Sequence, residues 1–166
     1  MTEDELESKY PGIKCAYDFV FPSYQWMLAR LEGADSRIQT LQTFIVTATF
    51  GITAVLTATS EKGELQFVSL PFVAAMALAV LAIILGVIGR SSGGIILTNP
   101  GNLHEKFLHR GEWTFKKDMI YFAGEHFKKN KDVVEQKHTL TTAMTWLFLG
   151  EMALLLFWVI FAKSVK

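Results

Sequence analysis

The sequence predicts an all-α membrane protein with three transmembrane helices, because half of its residues are apolar and most of these lie in three long runs. Of the 166 residues, 51% are apolar and 13% are aromatic. The first two runs, Ile38 to Ser60 (23 residues) and Leu65 to Gly89 (25 residues), contain no Asp, Glu, Lys or Arg. The third run, His138 to Ala162 (25 residues), contains one such residue, Glu151. At about 1.5 Å per residue, each run can cross a hydrocarbon layer of roughly 30 Å as a helix.

The distribution of Lys and Arg predicts the topology of these spans. Thirteen basic residues precede the first span or lie between the second and third spans, whereas only Lys62, Lys163 and Lys166 lie elsewhere. Basic residues accumulate on the cytoplasmic side, so we expect a cytoplasmic N-terminus and an external C-terminus. The expected segments are a cytoplasmic tail and helix (1–37), a transmembrane hairpin (38–89, with spans at about 39–59 and 69–89), a cytoplasmic helical segment (90–137), and the third transmembrane helix with a short tail (138–166).

The segment before the first span predicts an amphipathic helix. Its larger apolar residues between Tyr17 and Leu41 recur at spacings that place them on one side of a helix. Pro22 interrupts this pattern, and we therefore expect the regular helix to begin near it. The helix would run into the first span past Gly33 and either lie on the membrane surface or pack against segment 90–137.

Segment 90–137 begins with the turn-rich stretch "SSGGIILTNPGN" and continues into a long helix that starts near Glu112 and leads directly into the third span. Basic and apolar side chains together suit a membrane-surface helix or a small cytoplasmic domain. The turn and the cationic groups around it could form an anion-binding pocket. Solvated charge that faces lipid phosphates is the alternative. The candidate ligand contacts are Arg90, Asn99, His104, Lys106 and Arg110.

Small and hydroxylated residues form a stripe along the first span, at intervals of three or four residues. Such stripes allow helix backbones to approach closely in lipid. The stripe could pack against the other two spans, or it could line a pore or an intersubunit contact. Its members are Thr40, Thr43, Thr47, Gly51, Ala54 and Ala58.

The second span has a similar but more apolar side, which predicts a packing helix. That side contains Ala75, Ala79, Ala82 and Gly86. In the third span, Trp146 and Trp158 lie toward the two ends, where we expect them to anchor the helix at the membrane interfaces.

Glu151 is the main candidate for a functional residue within the membrane. The apolar stretches on either side of it are each too short to cross alone, so the third span places this carboxyl near the middle of the bilayer. A central acidic residue costs roughly 2.5 to 3.5 kcal/mol on insertion scales. It should therefore be protonated or face protein or water, with Thr43 and Thr47 as hydrogen-bond partners. It could then hold the helices together, or form a ring of carboxylates around a cation pathway in a symmetric oligomer.

Other chemistry is not indicated. The sequence contains no phosphate-binding glycine loop, nucleophile elbow or metalloprotease motif. Cys15 is the only cysteine, and none of the four histidines makes the i, i+4 pair typical of zinc binding. Net charge is zero, so there is no overall attraction to nucleic acid. We expect a protein that is not an enzyme and has no cofactor and no metal.

Three passages resemble the small membrane effectors of bacterial anti-phage systems that respond to cyclic nucleotides, namely the Pycsar membrane effectors and the SLATT group. They are "LEGADSRIQTLQTFIVTATFGITAVL", "NPGNLHEKFL" and "DMIYFAGEHFKKNKDVVEQKHTLTTAMTWLFLGEMALLL". The resemblance is one of pattern and covers about residues 30 to 160. It implies an inner-membrane protein that a nucleotide or another infection signal switches from an inactive state to one that damages the membrane.

Two functional hypotheses follow. The first is a non-enzymatic homo-oligomer in the bacterial inner membrane that permeabilises the bilayer on a cytoplasmic signal, such as a cyclic nucleotide, in anti-phage defence. The second is a constitutive small ion channel or an accessory subunit of a larger membrane complex. In either case the partners are the lipid bilayer and further copies of the chain, not nucleic acid.

Overall fold

The computed structural model describes residues 2–59, 69–94, 96 and 110–164, and within these ranges all regular structure is helical. Helix α1 spans Glu3–Lys9, α2 spans Ile13–Thr59, α3 spans Leu70–Ser91 and α4 spans Glu112–Ser164. Helices α2, α3 and α4 each contain a stretch that is long and apolar enough to cross a membrane. The three predicted spans thus lie in three helices that could each cross a membrane by length and composition.

The helix boundaries differ from the prediction at the N-terminus. Helix α2 does not begin near Pro22 but runs through it from Ile13. Proline has no N–H to donate to the preceding turn. The helix nevertheless continues, with Ser23 Oγ donating to the Phe19 carbonyl at 2.9 Å and with Met27 buried beyond the proline. Burial of the following turns therefore outweighs the local preference of proline.

The predicted continuation of the helix from Glu112 into the third span is confirmed by α4.

Helix α1 was not expected from the acidic N-terminal sequence. It begins with a capping box in which the Thr2 hydroxyl accepts from the Glu5 amide and the Glu5 carboxylate accepts from the Thr2 amide. These two bonds satisfy amide donors that the first turn of a helix leaves free. The local sequence thus specifies where this short helix begins.

The chain divides into two compact units, of which the first comprises Met1–Gly33 and Gly93–Glu135. In this unit the fully buried side chain of Asn130 forms two hydrogen bonds with the backbone of Ile96. Asn130 Oδ1 accepts from the Ile96 amide at 3.1 Å, and Asn130 Nδ2 donates to the Ile96 carbonyl at 3.3 Å. The Tyr24 hydroxyl donates to the same carbonyl at 2.8 Å. Partial burial raises the pKa of Tyr24 above its ordinary value, because burial disfavours the phenolate.

The second unit comprises Ala34–Ser92 and Gln136–Lys166. Its core positions recur alternately every four and three residues on α3 and every seven residues on α4. This 3.5-residue repeat is typical of helices that pack in a left-handed bundle. The α3 positions are Ala75, Ala79, Ala82, Gly86 and Gly89, and the α4 positions are Lys137, Met144, Glu151 and Trp158. The predicted packing role of the small residues in the second span is therefore confirmed.

Close approach explains the glycines of this core. A Cβ atom on Gly89 would lie 3.0 Å from Ile38 Cδ1, and a Cβ atom on Gly150 would lie 3.2 Å from Leu78 Cδ1. Small residues let helices pack at short distance, which increases the dispersion contacts on which association in lipid depends. Glycine therefore supplies space rather than backbone freedom at these positions, and a larger residue would require the Ile38 or Leu78 side chain to shift.

The tryptophans of α4 occupy different environments. Trp146 is 70% exposed, in keeping with a ring at the outer surface of the bundle. Trp158 is only 2% exposed, and its ring packs against Phe72 with centroids 4.7 Å apart. The prediction that Trp158 anchors the helix at an interface was wrong in this respect. Trp158 falls on the heptad row that faces the core, so packing takes the ring inward.

Candidate functional site in the second unit

Glu151 lies within the bundle and has no exposed surface. Its Oε1 atom is hydrogen-bonded to the hydroxyl of Thr49 on α2. Its Oε2 atom is also buried and has no hydrogen-bond partner among the described residues. The carboxyl group therefore joins α4 to α2 through one of its two oxygens.

The partner of Glu151 is Thr49 rather than Thr43 or Thr47. Both predicted threonines are exposed, and the Thr43 hydroxyl donates to the Gln39 carbonyl at 3.0 Å. Successive residues of an α-helix are turned by about 100°, so positions two apart lie about 200° apart around the axis. Thr47 therefore points away from the side of α2 on which Thr49 faces the core, and the predicted contact with Glu151 was wrong for geometric reasons.

Lys137 forms a second polar contact, two heptads before Glu151. Its side chain is 1% exposed, and its Nζ atom donates to Asp35 Oδ1 at 2.6 Å and to the Gly89 carbonyl at 2.7 Å. Asp35 belongs to α2, and Gly89 lies in the last turn of α3. Carbonyls at the end of a helix lack intrahelical donors, and a cation there also interacts favourably with the helix dipole. Lys137 thus connects all three helices of the second unit.

A third contact lies between these two. Gln42 Nε2 donates to the Ile83 carbonyl of α3 at 3.2 Å. The polar residues of α2 that face the bundle, Asp35, Gln42 and Thr49, are thus spaced seven residues apart, as are Lys137, Met144 and Glu151 on α4. Sequence reasoning missed Asp35, Thr49 and Lys137. The seven-residue spacing measured back from Glu151 is the signal that could have found Lys137.

The outward side of α2 carries most of the small-residue stripe of the first span. Six residues at alternating spacings of four and three form this side, which we call the α2 seam, and all six are exposed. A Cβ atom on Gly51 would meet no atom within 4 Å. In contrast to Gly89 and Gly150, the small size of Gly51 serves no packing within the described chain. The members of the α2 seam are Thr40, Phe44, Thr47, Gly51, Ala54 and Ala58.

The candidate anion-binding residues are only partly described. Asn99, His104 and Lys106 lie outside the described residues. Arg90 is exposed in the last turn of α3. In the first unit, Arg110 forms an ion pair with Asp118 at 2.5 Å. The side chain of Arg110 is therefore already engaged by a carboxylate, and the anion pocket stays a prediction.

The described residues contain no cluster of three or more His, Cys, Asp or Glu side chains that could hold a metal ion. Comparison with known proteins gives no matching protein-family model, no matching curated protein and no matching solved structure.

Proposed function

We propose that this protein is a non-enzymatic, oligomeric effector of the bacterial inner membrane, which permeabilises the bilayer in anti-phage defence when its cytoplasmic part receives a signal. The resemblance to Pycsar and SLATT membrane effectors supports the biological setting. The excess of basic residues in 1–37 and 90–137 supports a cytoplasmic N-terminus and an external C-terminus. A cyclic nucleotide or another small infection signal is the trigger that the resemblance implies.

The observation that carries the proposal is the exposed α2 seam. Its spacing of four and three residues is the heptad spacing of helices that pack side by side, and its residues are mostly small. Thr40 and Thr47 add hydroxyl groups, and Gly51 leaves open space at the surface. A second copy of α2 is the partner whose own seam has the same period. We therefore propose that the subunits associate through this seam.

The burial of Glu151 argues against a pore that is lined by a ring of Glu151 carboxylates. A ring of Glu151 carboxylates around a shared axis needs this side chain on an outer surface, but it is enclosed by its own bundle. The proposal therefore assigns Glu151 to holding the helices together. The hydroxyl-bearing side of α2, where Ser36, Gln39 and Thr43 adjoin the seam, is the more suitable lining for a water-filled path.

The test is to express the protein in bacteria and to follow membrane potential with a fluorescent dye, with and without phage infection. The wild type should depolarise the membrane on infection. Gly51→Leu should weaken this response at least several-fold, because a large side chain would separate the seams. Gly124→Leu is the matched control, because a Cβ atom at Gly124 also meets nothing within 4 Å, but in the first unit.

Equal depolarisation by wild type and Gly51→Leu would contradict association through the seam. Unchanged polarisation of cells that contain the wild type under every condition would contradict the proposed function itself.

A further inference from the structure

The state of the Glu151 carboxyl group can be argued from its surroundings, independently of the proposed function. The group is completely buried, with Oε1 hydrogen-bonded to Thr49 and Oε2 without a partner among the described residues. An isolated ionised carboxylate in an apolar medium costs far more than a hydrogen-bonded neutral group. If Glu151 were ionised, a neighbouring positive charge would have to offset this cost.

No counter-charge for Glu151 is found among the described side chains of the helices packed around it. The sequence between Ile38 and Thr59 on α2, and between Leu70 and Gly89 on α3, contains no Asp, Glu, Lys, Arg, His, Cys or Tyr. On α4, Lys137 is the nearest buried cation, but it precedes Glu151 by fourteen residues, roughly 21 Å along a helix, and is paired with Asp35. A carboxylate at position 151 would thus have no ionic partner in the described bundle.

The hydrogen bonds of Thr49 give a second, independent argument. Its Oγ1 atom lies 2.6 Å from the Ile45 carbonyl oxygen as well as within hydrogen-bonding distance of Glu151 Oε1. A threonine hydroxyl has a single hydrogen, and a carbonyl oxygen can only accept. Once that hydrogen is donated to Ile45, as is common for threonine in membrane helices, the contact with Glu151 needs a hydrogen from the carboxyl group.

We infer that Glu151 is an intramembrane proton-binding site, in which a neutral carboxylic acid donates to Thr49 Oγ1 and the Thr49 hydroxyl donates to the Ile45 carbonyl. The proton takes the place of a counter-ion, and the chain of two hydrogen bonds ends on the backbone of α2. The acid thereby links α4 to α2 without a buried charge.

Infrared spectroscopy of the full-length protein in lipid nanodiscs at pH 7 tests this inference. Exposed carboxyl groups are ionised at this pH, so a carbonyl stretching band from a neutral carboxylic acid reports a protonated, buried group. We expect one such band, sensitive to exchange into heavy water. The band should be lost in Glu151→Gln and retained in Glu32→Gln, which alters an exposed carboxyl group.

Thr49→Val provides the second variant, since it keeps the acid and removes its hydrogen-bond acceptor. The acid band should persist in Thr49→Val and change in frequency, whereas Thr43→Val should leave it unchanged. Absence of the acid band from the wild type would overturn the inference, and so would a band that survives Glu151→Gln. A band unaffected by Thr49→Val would overturn the assigned hydrogen bond.

Discussion

Lys137 shows how a single buried charge can connect three helices. Its ammonium group contacts a carboxylate on α2 and a terminal carbonyl on α3, and hydrogen bonds that involve a charged group contribute more than neutral ones. Asp35 is 42% exposed, so water can solvate it when the lysine is removed. Among the described residues, the Gly89 carbonyl would then keep the Ser92 hydroxyl, at 3.1 Å, as its side-chain donor.

We predict that Lys137→Met lowers the free energy of unfolding by about 2 kcal/mol, through the loss of these charged hydrogen bonds. Asp35→Asn should have at least as large an effect, because it leaves the buried ammonium group of Lys137 without its counter-charge. Lys131→Met is the control, since Lys131 pairs with Glu135 at the surface, where such i, i+4 pairs contribute about 0.3 to 0.5 kcal/mol. Thermal unfolding of the purified variants in detergent measures the three effects, and equal losses for Lys137→Met and Lys131→Met would contradict this account.

The polar contacts at the residue scale were only partly predictable from the sequence. Glu151 stands out because it is the only charged residue in its span. Three threonines within seven residues of α2, at positions 43, 47 and 49, are chemically equivalent partners for it. Which of the three contacts Glu151 depends on the rotation of α2 about its own axis, and this rotation turns Thr49 toward α4. Lys137 was counted among the cytoplasmic charges, because its seven-residue spacing from Glu151 indicates a core position but does not reveal that Asp35 and Gly89 lie beside it.

At the scale of the element, α3 illustrates how a heptad of small residues sets the spacing of a bundle. Ala79 and Ala82 belong to the same apolar core cluster as Ile38, Ile45 and Met144. Their side chains leave room for the larger residues of α2 and α4. The alternation of four and three residues was visible in the sequence, which is why the packing side of this helix could be predicted.

Ala82→Leu should therefore destabilise the bundle by about 1 to 3 kcal/mol, since added methyl groups in a packed core force other side chains to move. Val80→Leu on the same helix is the matched control, because Val80 is exposed and can accept a larger apolar side chain. Thermal unfolding in detergent should show a clear loss of stability for the first variant only. A bundle that accommodated both substitutions equally would argue against close packing at Ala82.

The N-terminal part of the chain shows which helical features the hydropathy pattern does not predict. Hydrophobic run length predicted that α2, α3 and α4 exist, since membrane thickness fixes the length of a spanning helix. It did not predict α1, whose cap depends on Thr2 and Glu5, nor the passage of α2 through Pro22. Both features depend on individual side-chain contacts rather than on the hydropathy pattern.

At the scale of the whole molecule, the proposal is that several copies assemble through the α2 seam. The seam lies on the opposite side of α2 from the core positions Ile38, Ile45 and Thr49. In this proposal, one side of α2 packs within its own bundle and the opposite side contacts a second copy. The sequence alone left open whether the small residues of the first span pack inside the subunit or between subunits, because both sides of α2 contain hydroxyl groups.

The mass of the assembled protein in lipid nanodiscs, determined by native mass spectrometry, tests the central claim most directly. We predict that the wild type and Gly124→Leu form a closed oligomer of fixed subunit number, and that Gly51→Leu shifts the population toward monomers. A monomeric wild type, or an oligomer that Gly51→Leu leaves intact, would contradict assembly through the α2 seam.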